Sequence, residues 1–325
     1  MSEEPITTSK AIHRRAGTTF YVATRVLPER VREATYVLYA FFRIADEVVD
    51  QPDPPSAAIQ REKLETIRSA AKGNAYDEAV LSAEDRAVLD GFQSLAERES
   101  FDPAEIDVFV DAMAQDIEQT RYETHEELSA YMRGSAAAVG NMMLTVMDPA
   151  EREAAEPHAR SLAEAFQLTN FIRDVREDIC DYDRVYLPKE TLERFGITEP
   201  QLRRGEMTDD LRAAIRTELQ RTESLYRHGV TGIRYLPADC QFAVLLSAVL
   251  YAEHHRRIRD LEYDVLGENT SLSTARRLWL VPKTYYHWRR TGDPETAFYA
   301  ASAISEGDGE TDRHGTVGAT PEGVV

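Results

Sequence analysis

Cysteine is nearly absent: Cys180 and Cys240 are the only two in 325 residues, and no charged-then-apolar leader opens the chain. A secreted scaffold stapled by disulfides is therefore excluded, and a cytoplasmic protein is expected. Long hydrophobic runs are also missing. The longest apolar stretch, Phe242 to Ala252, falls well short of the ~20 residues that cross a bilayer as a helix. Lysine is scarce, with Lys10, Lys63, Lys72, Lys189 and Lys283 alone, so that 33 of the 38 basic residues are arginine. Against 57 acids these leave a net charge of −19, a field that repels phosphate backbones and anionic membrane surfaces, and nucleic acid is not expected as a partner. Such an acid-rich, lysine-poor composition suits concentrated salt, where repulsion is screened within about 3 Å at ~1 M. A Walker loop, a Rossmann glycine fingerprint and a nucleophile elbow are absent, which removes the sequence support for nucleotide binding or acyl-enzyme chemistry. None of the eight histidines has an acid three residues before it, so a di-iron carboxylate bundle is excluded as well.

What the chain does have is helical periodicity. Apolar residues recur at three- and four-residue spacing almost throughout, while alternating runs closed by Asn-Gly or Asp-Gly turns are rare. The expectation is an all-α protein, with a single domain over residues 9–301 built from eight or more helices around a shared core. Residues 1–8 and 302–325 lack a periodic apolar face and are expected to be disordered. Helix breaks are expected at 50–56, 73–74, 101–105, 148–153, 187–200 and 236–239, where proline, glycine and acidic residues cluster.

Two polar stripes interrupt this apolar pattern. Residues 36–50, YVLYAFFRIADEVVD, set Tyr39, Arg43, Asp46 and Asp50 at spacings of four, three and four on a helix that is apolar nearly all round. A helix of that kind is buried, so its charges should point into a cavity. Two carboxylates at ~4 Å repel by about 4 kcal/mol at an effective dielectric of ~20, and something cationic must offset that. Residues 161–188 carry a second stripe, with Gln167, Asn170, Asp174 and Asp178 at spacings of three, four and four. Oxygen donors without cysteine or histidine suit Mg²⁺, with Mn²⁺ as the substitute, and Mg²⁺ takes its remaining ligands from water and substrate phosphates. A single acidic pair is usually a solvated helix face; two matching stripes on apolar helices argue for a shared metal-bridged diphosphate.

Asp46-Glu47-Val48-Val49-Asp50 preceded by Tyr39-Ala40-Phe41-Phe42-Arg43, the run QLTNFIRDVRED from Gln167 to Asp178, and Arg184-Val185-Tyr186-Leu187-Pro188 together resemble the phytoene and squalene synthase family of head-to-head prenyl transferases. The similarity extends from about Ser9 to about Trp288. It implies a helical bundle of the isoprenoid synthase type with a central cavity. It also implies the joining of two molecules of geranylgeranyl diphosphate into phytoene, the first committed step of carotenoid synthesis, through a cyclopropyl-carbinyl diphosphate and without NADPH. The form of the motifs is more like phytoene synthase; squalene or dehydrosqualene synthase acting on farnesyl diphosphate is the alternative. A non-catalytic helical assembly factor of the same fold is the alternative from another class.

The resemblance further implies roles for individual residues. Asp46, Asp50, Asn170, Asp174 and Asp178 would hold the metal, Arg43 and Arg184 would donate to phosphate oxygens, and Gln167 and Tyr39 would orient the head group. Thr19 and Phe20 belong to a hydroxyl-rich segment that touches diphosphate. Tyr131 is the candidate for steering the cation, and the small residues from Gly134 to Gly140 would leave a bare wall for an isoprenoid chain. Asp116, Arg121 and Tyr122 look like the family's third polar segment, whereas His254 and His255 read as a helix face without a ligand role. Peripheral contact with a membrane for release of an oily product completes the expectations; the residues do not specify an oligomeric state.

Overall fold

The computed structural model describes residues 9, 10, 12, 18–51, 53–267 and 270–306, and the side chains of Thr18 and Thr19 lie outside the description. Every regular element among the described residues is helical. The helices are α1 (Thr18–Thr24), α2 (Glu29–Val49), α3 (Ala57–Ala71), α4 (Ala83–Glu99) and α5 (Pro103–Gln115). They continue with α6 (His125–Met132), α7 (Ala138–Met147), α8 (Arg152–Arg173), α9 (Val175–Asp181) and α10 (Lys189–Arg194). The last five are α11 (Glu199–Arg204), α12 (Asp209–Thr231), α13 (Ala238–Asp260), α14 (Thr274–Thr291) and α15 (Pro294–Ala301).

Every expected break contains a junction between helices, although those at 101–105, 148–153 and 236–239 run into the first turns of α5, α8 and α13. Residues 187–200 do not form a plain loop, because Pro188 starts α10, whose Thr191 and Leu192 turn into the core. Proline is well placed there: its fixed φ suits a helix entrance, where its missing N–H would have had no partner. The expected boundary at residue 302 also shifts. Ile304 is buried against the core and Arg227 Nε donates to Ser305 O at 3.0 Å, so residues 302–306 stay packed; residues 1–8 and 307–325 lie outside the described residues.

Helix α2 forms one wall of the interior. Twelve of its 21 residues are buried, and Phe41 stacks on Phe92 of α4 at 3.8 Å while touching Phe109 of α5 at 5.5 Å. Each such ring contributes about 1.5–3 kcal/mol when taken from water. Helices α8, α12 and α13 pack around the opposite side, and α13 is apolar through its centre from Ala243 to Ala252. A second, smaller core under α9 to α12 gathers Ile172, Ile179, Leu187, Leu202, Leu211 and Ile215.

Two irregular pieces aim the polar side chains. Helix α8 stops at Arg173 and the chain resumes as α9 at Val175, but Asp174 N donates to Asn170 O at 2.9 Å and Asp178 N to Asp174 O at 2.9 Å. The single helical stripe expected over this region is thus kinked at Asp174. After α9, Asp183 adopts a positive φ and residues 184–188 run extended along residues 120–122, with Val185 N bonded to Thr120 O and Lys189 N to Tyr122 O. That strap carries Arg184 back toward α2.

Candidate active site

A cavity of about 920 Å³ opens between α2 and α8, and Asp46, Asp50, Asp174 and Asp178 all line it. Gln167 and Asn170 share that wall, and Tyr39, Arg43, Phe20 and Arg184 border the same space. Thr19 cannot be placed, since its side chain is among those outside the description. The four aspartates thus line one cavity, although the two pairs lie more than 120 residues apart in sequence.

Their electrostatics confirm the crowding. Burial, and then the neighbouring Asp50, pushes the Asp46 carboxyl up to about 8. Burial, then Asp174 and Glu177, does the same to Asp178, also to about 8. Like charges close together in a desolvated site disfavour ionisation of each other. Two arginines partly relieve the excess. Arg184, a buried residue, donates to Asp50 Oδ1 at 2.6 Å and to Val49 O at 3.1 Å, and Arg173 grips both oxygens of Asp174. Arg43 lines the cavity and pairs with Glu47 on its own helix at 3.0 Å. The spacing of four explains that choice, since such pairs are neighbours on a helix surface.

Tyr131 lies at the deep side of the acids. Its hydroxyl donates to Asp116 Oδ2 at 2.7 Å, and its ring sits among Tyr122, Phe171 and Tyr186, the last two stacked on each other at 3.8 Å. Asp116 is buried, its Oδ1 has no partner among the described residues, and burial pushes its carboxyl up to about 7. Arg184 reaches the Asp116 backbone oxygen at 3.3 Å and so ties this group to Asp50. Arg121, by contrast, turns away to Glu199 and Asp183. Of the third polar segment, then, Asp116 and Tyr122 join the cavity wall or its backing and Arg121 does not.

Beyond the acids the cavity is apolar, bounded among others by Leu27, Leu38, Phe42, Met143, Phe166 and Leu236. The small-residue run has two duties rather than the single one expected. Ser135, Ala136, Val139 and Gly140 do line the cavity, but a Cβ on Gly134 would come within 2.5 Å of Val108 O and of Ala112 Cβ. Gly134 is there because α5 passes against it, within a five-residue π-helical turn, Arg133–Ala137. His254 also departs from expectation. It is buried on the cavity wall, with Nδ1 facing Thr270 O at 3.3 Å, and burial followed by Arg173 pushes its pKa down to about 3, so the ring stays neutral. His255 is buried too, held between Thr169 and Glu223.

The residues fit a hard divalent cation. The donors are all oxygens, and burial and then neighbouring acids raise Asp46 and Asp178, so that a cation bound there would favour their ionised form. Among the described residues no three acidic, histidine or cysteine side chains are gathered around one point, and Asp50 and Asp174 are paired with Arg184 and Arg173. Arg173, Tyr251, Phe171 and His254 also line the cavity without having been expected in the site; Phe171 and Arg173 stand inside the FIRDVRED run, while Tyr251 and His254 carry no signal apart from their apolar surroundings.

A family model of squalene/phytoene synthases matches residues 13–277. Among curated relatives, the phytoene synthase of Rhodobacter capsulatus is 31% identical, over 86% of this chain and 81% of its own length. The 15-cis-phytoene synthase of Synechococcus elongatus is 30% identical over 84% of this chain and 90% of its own length. Among solved structures, a dehydrosqualene synthase superposes with a TM-score of 0.76 at 24% identity, covering 89% of this chain and 98% of that one. A squalene synthase from Alicyclobacillus acidocaldarius gives 0.66 at 23% identity, over 80% and 95% respectively, and both likenesses speak for the fold.

Proposed function

The chain belongs to the squalene/phytoene synthase family, and from that premise we propose that its cavity joins two molecules of geranylgeranyl diphosphate head to head into phytoene, releasing two diphosphates. The observation that carries this reading is the polarity of the cavity. Four aspartates from the end of α2 and the α8–α9 kink share the cavity with many apolar side chains, among them Leu27, Leu38, Phe42, Met143, Phe166 and Leu236, able to take isoprenoid tails. The named relatives are phytoene synthases over most of their length, which favours the C20 substrate over farnesyl diphosphate.

Asp46, Asp50, Asn170, Asp174 and Asp178 would hold Mg²⁺, or Mn²⁺ in its place. When bound, the cation supplies Lewis-acid neutralisation of the leaving diphosphate. The chain's own residues do the rest. Arg184 and Arg173, released from Asp50 and Asp174 as these turn inward, present planar guanidinium forks suited to phosphate oxygens. Gln167 and Tyr39 orient the head group beside them. Phe20, Leu38, Phe42 and Phe166 exclude water, which would quench an allylic cation. Tyr131, fixed by Asp116, presents its ring and oxygen at the junction of the polar and apolar ends. The acidic, lysine-poor surface supports a salt-rich working medium. No helix among the described residues is long and apolar enough to cross a membrane.

The test is turnover by the purified chain in high salt with geranylgeranyl or farnesyl diphosphate, with Mg²⁺ or Mn²⁺, and with or without NADPH, the hydrocarbon being identified by mass. A C40 product formed without reductant is expected. A C30 product that requires NADPH would overturn the substrate assignment.

A further inference from the structure

Three consecutive residues, Thr120, Arg121 and Tyr122, all serve the strap that returns Arg184 to α2. Thr120 O accepts from Val185 N at 2.9 Å and Tyr122 O from Lys189 N at 2.8 Å. Between them Arg121 turns away from the cavity, toward the turn where the strap begins. Its Nε donates to Glu199 Oε1 at 2.6 Å and its Nη2 to Glu199 Oε2 at 2.8 Å, the paired contact that a planar guanidinium makes with a carboxylate. The same group reaches Asp183 twice, from Nη2 to Oδ1 at 3.0 Å and from Nη1 to the backbone oxygen. Arg203 adds a second cation on Asp183 Oδ1, and its Nη1 donates to Ile179 O at 3.1 Å in the last turn of α9.

What these contacts hold is an unfavourable backbone. Asp183 has a φ of +54°, a left-handed conformation that glycine takes freely and a residue with a Cβ takes at a cost. That one residue joins two groups of the site. Before it stands Asp178, whose backbone oxygen accepts from Arg184 N at 2.9 Å; after it stands Arg184, bonded to Asp50 Oδ1, Val49 O and Asp116 O. A negative φ at residue 183 would send the strap in another direction and take Arg184 away from Asp50. Isolated ion pairs at a surface contribute little, but here two arginines converge on one carboxylate and on two carbonyls of the same turn.

We propose that Arg121 is a positioning residue for the reaction: by holding Asp183 left-handed from outside the cavity, it sets Arg184 and Asp178 against the diphosphate and its cation. Those two roles come from the head-to-head reading, on which this assignment rests. Arg121 touches no substrate and acts only through the turn. Lysine could not replace it, since one ammonium cannot meet Glu199, Asp183 Oδ1 and Asp183 O in the fixed fork that guanidinium supplies.

Rescue by glycine tests it. Arg121→Ala in the full chain should lower kcat about 10–100-fold and weaken binding of inorganic diphosphate with Mg²⁺ in calorimetry about tenfold, with helical content retained. Arg121→Lys should recover little of either. Asp183→Gly should stay close to wild type. In the double variant, Arg121→Ala with Asp183→Gly, both quantities should return to within about threefold of wild type, because glycine keeps the left-handed turn without a clamp. A loss of folded protein alone would lower kcat and leave the diphosphate dissociation constant unmoved, so the two readouts separate positioning from stability. If Arg121→Ala loses helical content, the same comparison is made on Arg121→Lys with and without Asp183→Gly. An active wild type whose kcat and diphosphate affinity are untouched by Arg121→Ala, or a double variant no better than Arg121→Ala, would overturn the role of Arg121 alone. A wild type that neither turns over prenyl diphosphates nor binds inorganic diphosphate would overturn the head-to-head reading with it.

Discussion

The hydroxyl of Tyr131 donates to Asp116 Oδ2 at 2.7 Å, joining α6 to the end of α5 on the wall of the cavity. Because Asp116 is buried and its other oxygen lacks a partner among the described residues, this one bond orients both groups. Tyr131→Phe should therefore cost about 1–3 kcal/mol of stability, the usual penalty for stranding a buried acceptor. If the tyrosine also acts on the cation, kcat should fall by about 10²-fold with KM nearly unchanged. Wild-type kcat in this variant would confine Tyr131 to packing.

Asp116 should give the stability a pH slope. Its carboxyl sits at about 7 in the fold against 3.8 for the free group, so between those values the folded chain holds a proton that the unfolded chain has lost. Its contribution is complete below about pH 4 and is lost as pH rises to about 7, at up to about 1.4 kcal/mol per pH unit. Asp116→Asn should flatten that part of the curve when urea midpoints are compared at about pH 5 and about pH 7. An unchanged slope would place the proton elsewhere.

Arg184 closes the most buried ion pair of the site. Arg184→Ala leaves Asp50 without its 2.6 Å partner and frees the Val49 and Asp116 carbonyls, and should destabilise by about 3–5 kcal/mol. Arg184→Lys keeps the charge but cannot span three acceptors from one planar group, so thermal unfolding should show only partial recovery.

Asp46→Asn and Asp174→Asn should each abolish turnover while far-ultraviolet circular dichroism stays that of the wild type. In calorimetry at about pH 7, Mg²⁺ binding to the wild type should release protons, since Asp46 and Asp178 are both raised to about 8 and must ionise to act as ligands. Full activity in either variant would refute the assignment of these residues to the cation.

Gly134→Ala should destabilise by about 1–3 kcal/mol, because its methyl would meet a backbone oxygen that cannot yield cheaply. A denaturation midpoint equal to that of the wild type would mean that α5 and the π-helical turn can separate without cost.

Much of this was legible in the residues. The helix breaks at 50–56, 73–74, 101–105 and 148–153 follow from local proline, glycine and capping chemistry, which acts over a few residues and does not need the rest of the molecule. The two acid stripes were legible for a related reason: a 3.6-residue period turns spacing into a shared face. Three features were not. Arg173 holds Asp174 at the cavity; Asp174 became a kink instead of a helical position; and His254, polar in type, is buried beside Arg173. Each depends on what packs opposite.

From its amino acids alone the chain commits itself to helices, to an apolar interior, and to two rows of oxygen donors separated by 117 residues, from Asp50 to Gln167. Local hydrogen bonding and hydrophobic periodicity are properties of neighbours in sequence, and they are sufficient for that much. Only tertiary packing decided that the strap of residues 184–188 returns Arg184 to Asp50, that Asp116 and Tyr131 share a bond, and that Arg121 turns away to Asp183 and Glu199. Those outcomes depend on which surfaces are desolvated together, and desolvation is settled by contacts between segments distant along the chain.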